Sequence, residues 1–223
     1  MTMRLLNRWR FMGTFRADAP MRLLLAAGLV LISILAGVLV AFHADLRRPP
    51  SPPILPVLTD LGGDFELARA GGAPARLQDY RGRIVLLFFG YTHCPDVCPT
   101  TLYTLKLGMD QLGKTAGQVQ VIMVTVDPER DNPEQLEQYV RYFDPRFVGL
   151  SGTVEQIDEV ARKYRVHRQK GQSAPGGYSV SHSAYVYLLD QRGAVRALFG
   201  DGTKPAEIAD GVRQLLADSA VPR

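Results

Sequence analysis

The chain holds two cysteines among its 223 residues, and both lie in the segment Gly90-Tyr91-Thr92-His93-Cys94-Pro95-Asp96-Val97-Cys98-Pro99. This segment directly follows the apolar run 84–89, so Cys94 and Cys98 fall where a buried strand gives way to a helix. The positive end of a helix favours thiolates there. Thiolates either bind soft metals or exchange disulfides, and the spacing bears on that choice. Residues four apart on a helix hold their Cβ atoms roughly 5–6 Å apart, whereas a disulfide needs roughly 3.5–4.5 Å. A regular helix therefore suits a metal ion between the sulfurs better than an unstrained bridge, without excluding the bridge. Pro95 is expected as the first helical residue, where its missing N–H costs nothing. Pro99 cannot donate to the carbonyl of Pro95, so an irregular first turn would relax the geometry. A pair of buried cysteines with a purely structural task is the remaining reading.

A metal held by two thiolates needs at least one more ligand, and monovalent copper is satisfied by a low-coordinate set of sulfur and imidazole. A zinc site of two cysteines, one histidine and water is also compatible. The sequence offers four histidines. His43 abuts the apolar N-terminal stretch, and His167 lies among Arg165, Arg168 and Lys170, which repel a cation. His93 adjoins Cys94 but is expected to leave the strand end in a different direction. His182 sits in Ser179-Val180-Ser181-His182-Ser183, between a glycine-rich loop and the last hairpin. Either its loop folds over the cysteine turn or the ring is hydrogen-bonded elsewhere, and both readings stand. Met109 and Met123 are soft donors, but one falls on an apolar helical face and the other within a strand, which makes them core.

The elements that must position these residues read as follows. Runs 84–89 and 119–126 are continuous and apolar, as strands buried on both faces are. Leu102, Leu105, Met109 and Leu112 share a helical face after the first run. Asn132-Pro133 opens a second helix with Leu136, Tyr139, Val140 and Phe143 inward, and 147–150 is a short strand. Thr153-Val154-Glu155-Gln156 is a capping box opening a third helix. Residues 61–77 read as an irregular hairpin, and 170–178, with Gly171, Pro175, Gly176 and Gly177, as a flexible loop. Residues 184–189 and 194–199 pair as a hairpin about Asp190-Gln191-Arg192-Gly193, and Ile208, Val212, Leu215 and Leu216 complete a last amphipathic helix. The order implies an α/β sheet covered by helices on both faces.

The formal charge of +4 suggests nucleic acid until it is located. Arg4, Arg8, Arg10, Arg16 and Arg22 precede twenty uncharged residues, 23–42, which match the roughly 30 Å of a bilayer's hydrocarbon. A retained transmembrane anchor is expected at 23–42, preceded by a cytoplasmic segment 1–22. A cleaved signal peptide is the rival, with an unusually long apolar core. A proline-rich linker, 43–60, then leads to one domain, 61–223. Arginine outnumbers lysine, and alanine and glycine are abundant, which suggests a GC-rich bacterial genome. The corresponding place is the inner membrane, with the domain in the periplasm. In that oxidising space a lone cysteine pair becomes a disulfide unless a metal or a reductant protects it.

The motifs GYTHCPDVCP, VTVDPERDNP and SHSAYVYLLDQRG occur in one order, and from about Phe65 to Leu216 the chain resembles the Sco (SenC) family of membrane-tethered copper proteins. The resemblance implies a thioredoxin-like central mixed sheet flanked by helices. It implies that Cys94, Cys98 and His182 bind one copper ion, as Cu(I) or Cu(II). It further implies delivery of that copper to the Cu-A centre in subunit II of a cytochrome c oxidase, or reduction of that subunit's cysteines before metallation. Other periplasmic copper chaperones or thioredoxin-like reductants are implied as partners, and nucleic acid is not. Asp127 matches the family's acidic turn and stands as a second-shell candidate. So does Ser181, which replaces the aspartate common before the ligand histidine. The alternative is a copper-independent thiol–disulfide oxidoreductase using Cys94 and Cys98 as a redox pair, so whether the protein is an enzyme stays open. A peroxidase of the peroxiredoxin type places its cysteine in a different turn motif.

Overall fold

The computed structural model describes residues 19–46, 55–172 and 177–219. Residues 1–18 of the expected segment 1–22 and 47–54 of the expected linker 43–60 lie outside the described residues. Helix α1 is Ala19–Leu46, and its described apolar side chains, from Leu24 to Val40, are exposed. Among the described residues no helix is long and apolar enough to cross a membrane.

Residues Pro52–Arg223 form a separate compact unit. Its centre is β3, Ile84–Gly90, paired in parallel with β4, Val119–Thr125, and antiparallel with β8, Val186–Leu189. Beyond β4 lies β5, Val148–Leu150, in parallel; beyond β8 lies β9, Val195–Phe199, antiparallel. The order β5-β4-β3-β8-β9 makes a mixed sheet. Every residue of β3 and β4 is buried, which is why both read as unbroken apolar runs rather than alternating ones. A small hairpin of β1, Glu66–Ala68, and β2, Pro74–Arg76, precedes β3. The chain before it joins the unit too, since Leu58 N donates to Val195 O at 2.8 Å.

Helices cover both faces, as expected. Phe88 and Gly90 point to one side of β3 and Phe89 to the other. On the first side lie α2, Val97–Leu112, α3, Pro133–Phe143, and α5, Pro205–Ser219. Small residues permit the approach: a Cβ on Gly149 of β5 would stand 2.8 Å from Leu136 of α3. The second side packs on α4, Val154–Lys163. Tyr164, just past α4, meets Phe65, Phe89 and Tyr187 at 6.1, 5.5 and 5.4 Å between ring centroids. Both anticipated caps form: Asn132 with Gln135, and Thr153 with Gln156.

One departure matters for the site. The stretch expected as a loop around 170–178 is framed by a two-stranded pair, β6, Arg168–Lys170, and β7, Val180–His182. His182 therefore ends a strand rather than lying in a loop. The strands are short and polar, so they carry no apolar alternation to announce them.

Candidate metal centre

The cysteine turn differs from the reading of two sulfurs on one helical face. Helix α2 starts at Val97 with Asp96 as its N-cap, so Pro95 precedes the helix instead of opening it. Pro99 is its third residue, where the N–H would be unpaired in any case, and it does not loosen the turn. The first i to i−4 bond runs from Thr100 N to Asp96 O, 3.1 Å. Cys94 stands before the helix, and its Sγ accepts the backbone N–H of Cys98 at 3.4 Å. That sulfur occupies the place of a capping oxygen.

Cys98 is fully buried and Cys94 half-buried, and both are free thiols. Gly90 makes room for Cys98. A Cβ there would lie 3.0 Å from Cys98 Sγ, 3.0 Å from Met123 Cε and 2.6 Å from Phe88 Cε1. His182 reaches the pair from β7, with Nε2 3.5 Å from Cys98 Sγ. Its Nδ1 lies 3.0 Å from the carbonyl oxygen of Ser183. A carbonyl only accepts, so Nδ1 carries the proton and Nε2 presents its lone pair to the sulfur. The edges of Phe88 and Tyr91 frame the ring, at 6.4 and 5.8 Å.

The donor atoms of Cys94, Cys98 and His182 all lie within 4.8 Å of one another, the one such group among the described residues. Donors about 2.0–2.3 Å from a shared ion stand at most about 4.6 Å apart. The three fit a soft cation after a small inward movement. Burial lowers the pKa of His182, which keeps the ring neutral and able to ligate. Burial pushes the Cys98 thiol well above the usual range. The expectation that the helix terminus makes both sulfurs thiolates is therefore corrected for Cys98: without a cation beside it, that sulfur keeps its proton.

The other candidates separate cleanly. The His93 side chain is 55% exposed and turns to Thr92 Oγ1 at 3.0 Å, away from the cluster. His167 is exposed, and the side chain of His43 lies outside the described residues. Met109 and Met123 are core. Asp127 is buried, accepting from Tyr178 Oη at 2.8 Å and from Arg130 Nε; it braces neighbouring elements and is not one of the clustered donors. Ser181 is exposed on β7 opposite Gln169, pointing to the other face from His182.

Sequence reasoning missed Asp131. Fully buried, it accepts from Thr92 N at 2.9 Å, Thr92 Oγ1 at 2.5 Å and Thr125 Oγ1 at 2.8 Å. It thereby ties the residues just before Cys94 to the end of β4. The available signal was a carboxylate directly before the capping Asn132, in a position with no capping task.

The sequence model of the SCO1/SenC family matches residues 56–217. A SCO2-like protein of Rickettsia conorii is 32% identical over 193 residues, covering 83% of this chain and 94% of that protein. The mitochondrial Protein SCO2 homolog of Homo sapiens is 39% identical over 158 residues, covering 70% of this chain and 59% of that protein. The crystal structure of Arabidopsis thaliana ScoI with copper bound superposes with a TM-score of 0.67 at 34% identity, covering 71% of this chain and 99% of that one. Bradyrhizobium japonicum ScoI, also solved with copper bound, gives 0.65 at 38% identity over 70% and 99%.

Proposed function

Because the chain belongs to the SCO1/SenC family, we propose that it is a copper metallochaperone whose Cys94, Cys98 and His182 hold one copper ion for delivery to a cytochrome c oxidase. The observation that carries this reading is the convergence of three soft-metal donors within 4.8 Å at the end of β3. The copper-bound Arabidopsis and Bradyrhizobium relatives support the choice of metal over zinc.

Copper is the cargo, and each residue has a task in holding it. Cys98, buried and protonated, gives up its proton as the cation arrives. His182 needs no such step, since Nε2 already presents a lone pair, and Ser183 O keeps the ring oriented. Phe88 and Tyr91 exclude water from the imidazole side. Cys94 is the half-exposed ligand, so an incoming cysteine of subunit II meets that side first and ligand exchange proceeds from there. The receiving site in this reading is the dicopper Cu-A centre.

A second reading rests on the same pair of sulfurs. As a reductant, the chain would pass two electrons to a disulfide of subunit II: that bond becomes two thiols while Cys94 and Cys98 become a disulfide. The apolar stretch of α1 would anchor the protein in a bacterial inner membrane, with the metal-binding unit in the periplasm. Alkaline carbonate extraction of membranes checks this, and release of the full chain into the supernatant would remove the anchor.

The full chain, purified in detergent, tests the site. One equivalent of copper, a thiolate-to-Cu(II) charge-transfer band lost in Cys98→Ser, and weaker binding by His182→Ala are expected. Disturbing a ligand's support alone costs about 10–100-fold in metal affinity, so losing His182 should cost at least that much. Undiminished affinity in His182→Ala would remove it from the site. Reduction of a partner disulfide by chain free of copper, with no copper bound, would favour the oxidoreductase.

A further inference from the structure

His182 reaches Cys98 from outside the main sheet, carried on a pair of strands with little apolar anchorage. Of the residues in β6 and β7, Val180 alone is buried. Polar contacts hold the pair to the segment that follows β4 and to α4. Arg168, opposite His182 in register, donates from Nη1 to Val126 O at 2.9 Å and from Nε to Asp158 Oδ1 at 2.7 Å. Lys170 pairs with Glu129, but both side chains are about half exposed, and such pairs contribute little.

The sheltered contact is made by Tyr178. Its Oη donates to Asp127 Oδ1 at 2.8 Å, with Glu129 Oε2 at 3.1 Å. The Arg130 guanidinium lies over the Tyr178 ring at 3.7 Å and returns to Asp127 through Nε. Asp127 is 3% exposed, so water competes poorly for these bonds. The cluster continues to the site: Arg130 also sits 5.8 Å from the ring of Tyr91, which accepts Val180 N at its Oη and borders His182. Nothing in this network touches either sulfur except through His182 and Tyr91.

We propose that Tyr178 is a positioning residue for His182: clasped by Asp127 and Arg130, it fixes the seat of the β6–β7 pair and so governs how fast the imidazole leaves bound copper. This rests on His182 being a ligand. The clasp holds the strand, the strand holds the ring, and release of copper requires the ring to withdraw. Tyr178→Phe keeps the ring under Arg130 and deletes the bond to the carboxylate.

The test loads the full chain in detergent with one equivalent of Cu(I) and follows transfer to a chromogenic Cu(I) chelator by stopped flow. Tyr178→Phe and Asp127→Asn should each speed transfer about tenfold, the scale of one lost hydrogen bond to a charged group. The midpoint potential of the copper-free Cys94–Cys98 couple should move by less than the roughly 30 mV that a tenfold change corresponds to, because the clasp bears on the sulfurs only through the His182 imidazole, 3.5 Å from Cys98 Sγ. Parental transfer rates in both variants would overturn the proposal. An equal disturbance of the dithiol potential, or loss of the whole fold in Tyr178→Phe, would overturn it as well, since the contact would then support the domain rather than the hairpin. His182→Ala is the comparator: parental transfer in that variant defeats the ligand assignment, whereas fast transfer there beside parental transfer in Tyr178→Phe defeats only the clasp.

Discussion

Replacing Asp131 by alanine should unfasten the turn that presents Cys94. The carboxylate is fully buried and accepts three hydrogen bonds, from Thr92 N, Thr92 Oγ1 and Thr125 Oγ1, at 2.9, 2.5 and 2.8 Å. Alanine leaves all three donors without it. A hydrogen bond to a charged group contributes about 1.5–3 kcal/mol, and a stranded buried donor costs about 1–3 kcal/mol. The two hydroxyls can rotate towards other acceptors, but the Thr92 amide cannot, so the sum is about 3–5 kcal/mol rather than three full bonds. For a domain of this size that corresponds to a fall in melting temperature of about 6–20 °C. Asp131→Asn keeps the volume and one acceptor oxygen and turns an amide donor towards another donor, so it should lose about half as much. Thermal unfolding of the full chain by far-UV circular dichroism reads both variants, and hydrogen exchange at the Thr92 amide reads the local effect. Because Thr92 stands two residues before Cys94, Cu(I) affinity should fall as well. A melting temperature for Asp131→Ala within about 2 °C of the parent would refute the reasoning.

Gly90→Ala places a Cβ 2.6 Å from Phe88 Cε1 and 3.0 Å from Cys98 Sγ, an overpacking expected to cost about 1–3 kcal/mol in urea unfolding and to weaken Cu(I) binding by displacing the sulfur. Parental values in both measurements would show that the approach is not limiting. Copper affinity should also rise with pH. Burial holds the Cys98 proton on and keeps His182 neutral, so binding expels the thiol proton and Kd falls about tenfold per pH unit for each proton released. A flat profile in chelator competition would mean that the sulfur is already ionised.

Much of the scaffold was legible because its signals are local. The unbroken apolar runs of β3 and β4 declare burial on both faces, and Asn132 and Thr153 cap helices with partners three residues away. What escaped depends on residues far apart in the chain. The β6–β7 pair draws its hold from Val126, Asp158 and Asp127, and nothing in the sequence Arg168-Gln169-Lys170 states that these are its neighbours. Asp131 carries no local signal of its task, because Thr92, 39 residues away, makes it structural. The three converging donors were named from motif resemblance, but residue spacing alone left His182 open, since only the fold brings 182 to within 3.5 Å of 98.

The protonation of Cys98 shows why a local rule failed at the one position where it mattered most. A helix N-terminus stabilises a negative charge by about 0.3–1 kcal/mol, up to about 2 kcal/mol in sheltered geometries. Full burial shifts a titratable group by up to about 3–5 pKa units, which is about 4–7 kcal/mol against the charged form. Cys98 has no exposed surface, so the second effect exceeds the first and the thiol stays neutral. A soft cation reverses the balance by supplying the opposite charge within the buried site. The same burial that disfavours a bare thiolate therefore ties ionisation of Cys98 to arrival of the metal, and leaves Cys94, at the half-exposed edge of the turn, as the sulfur that meets solvent.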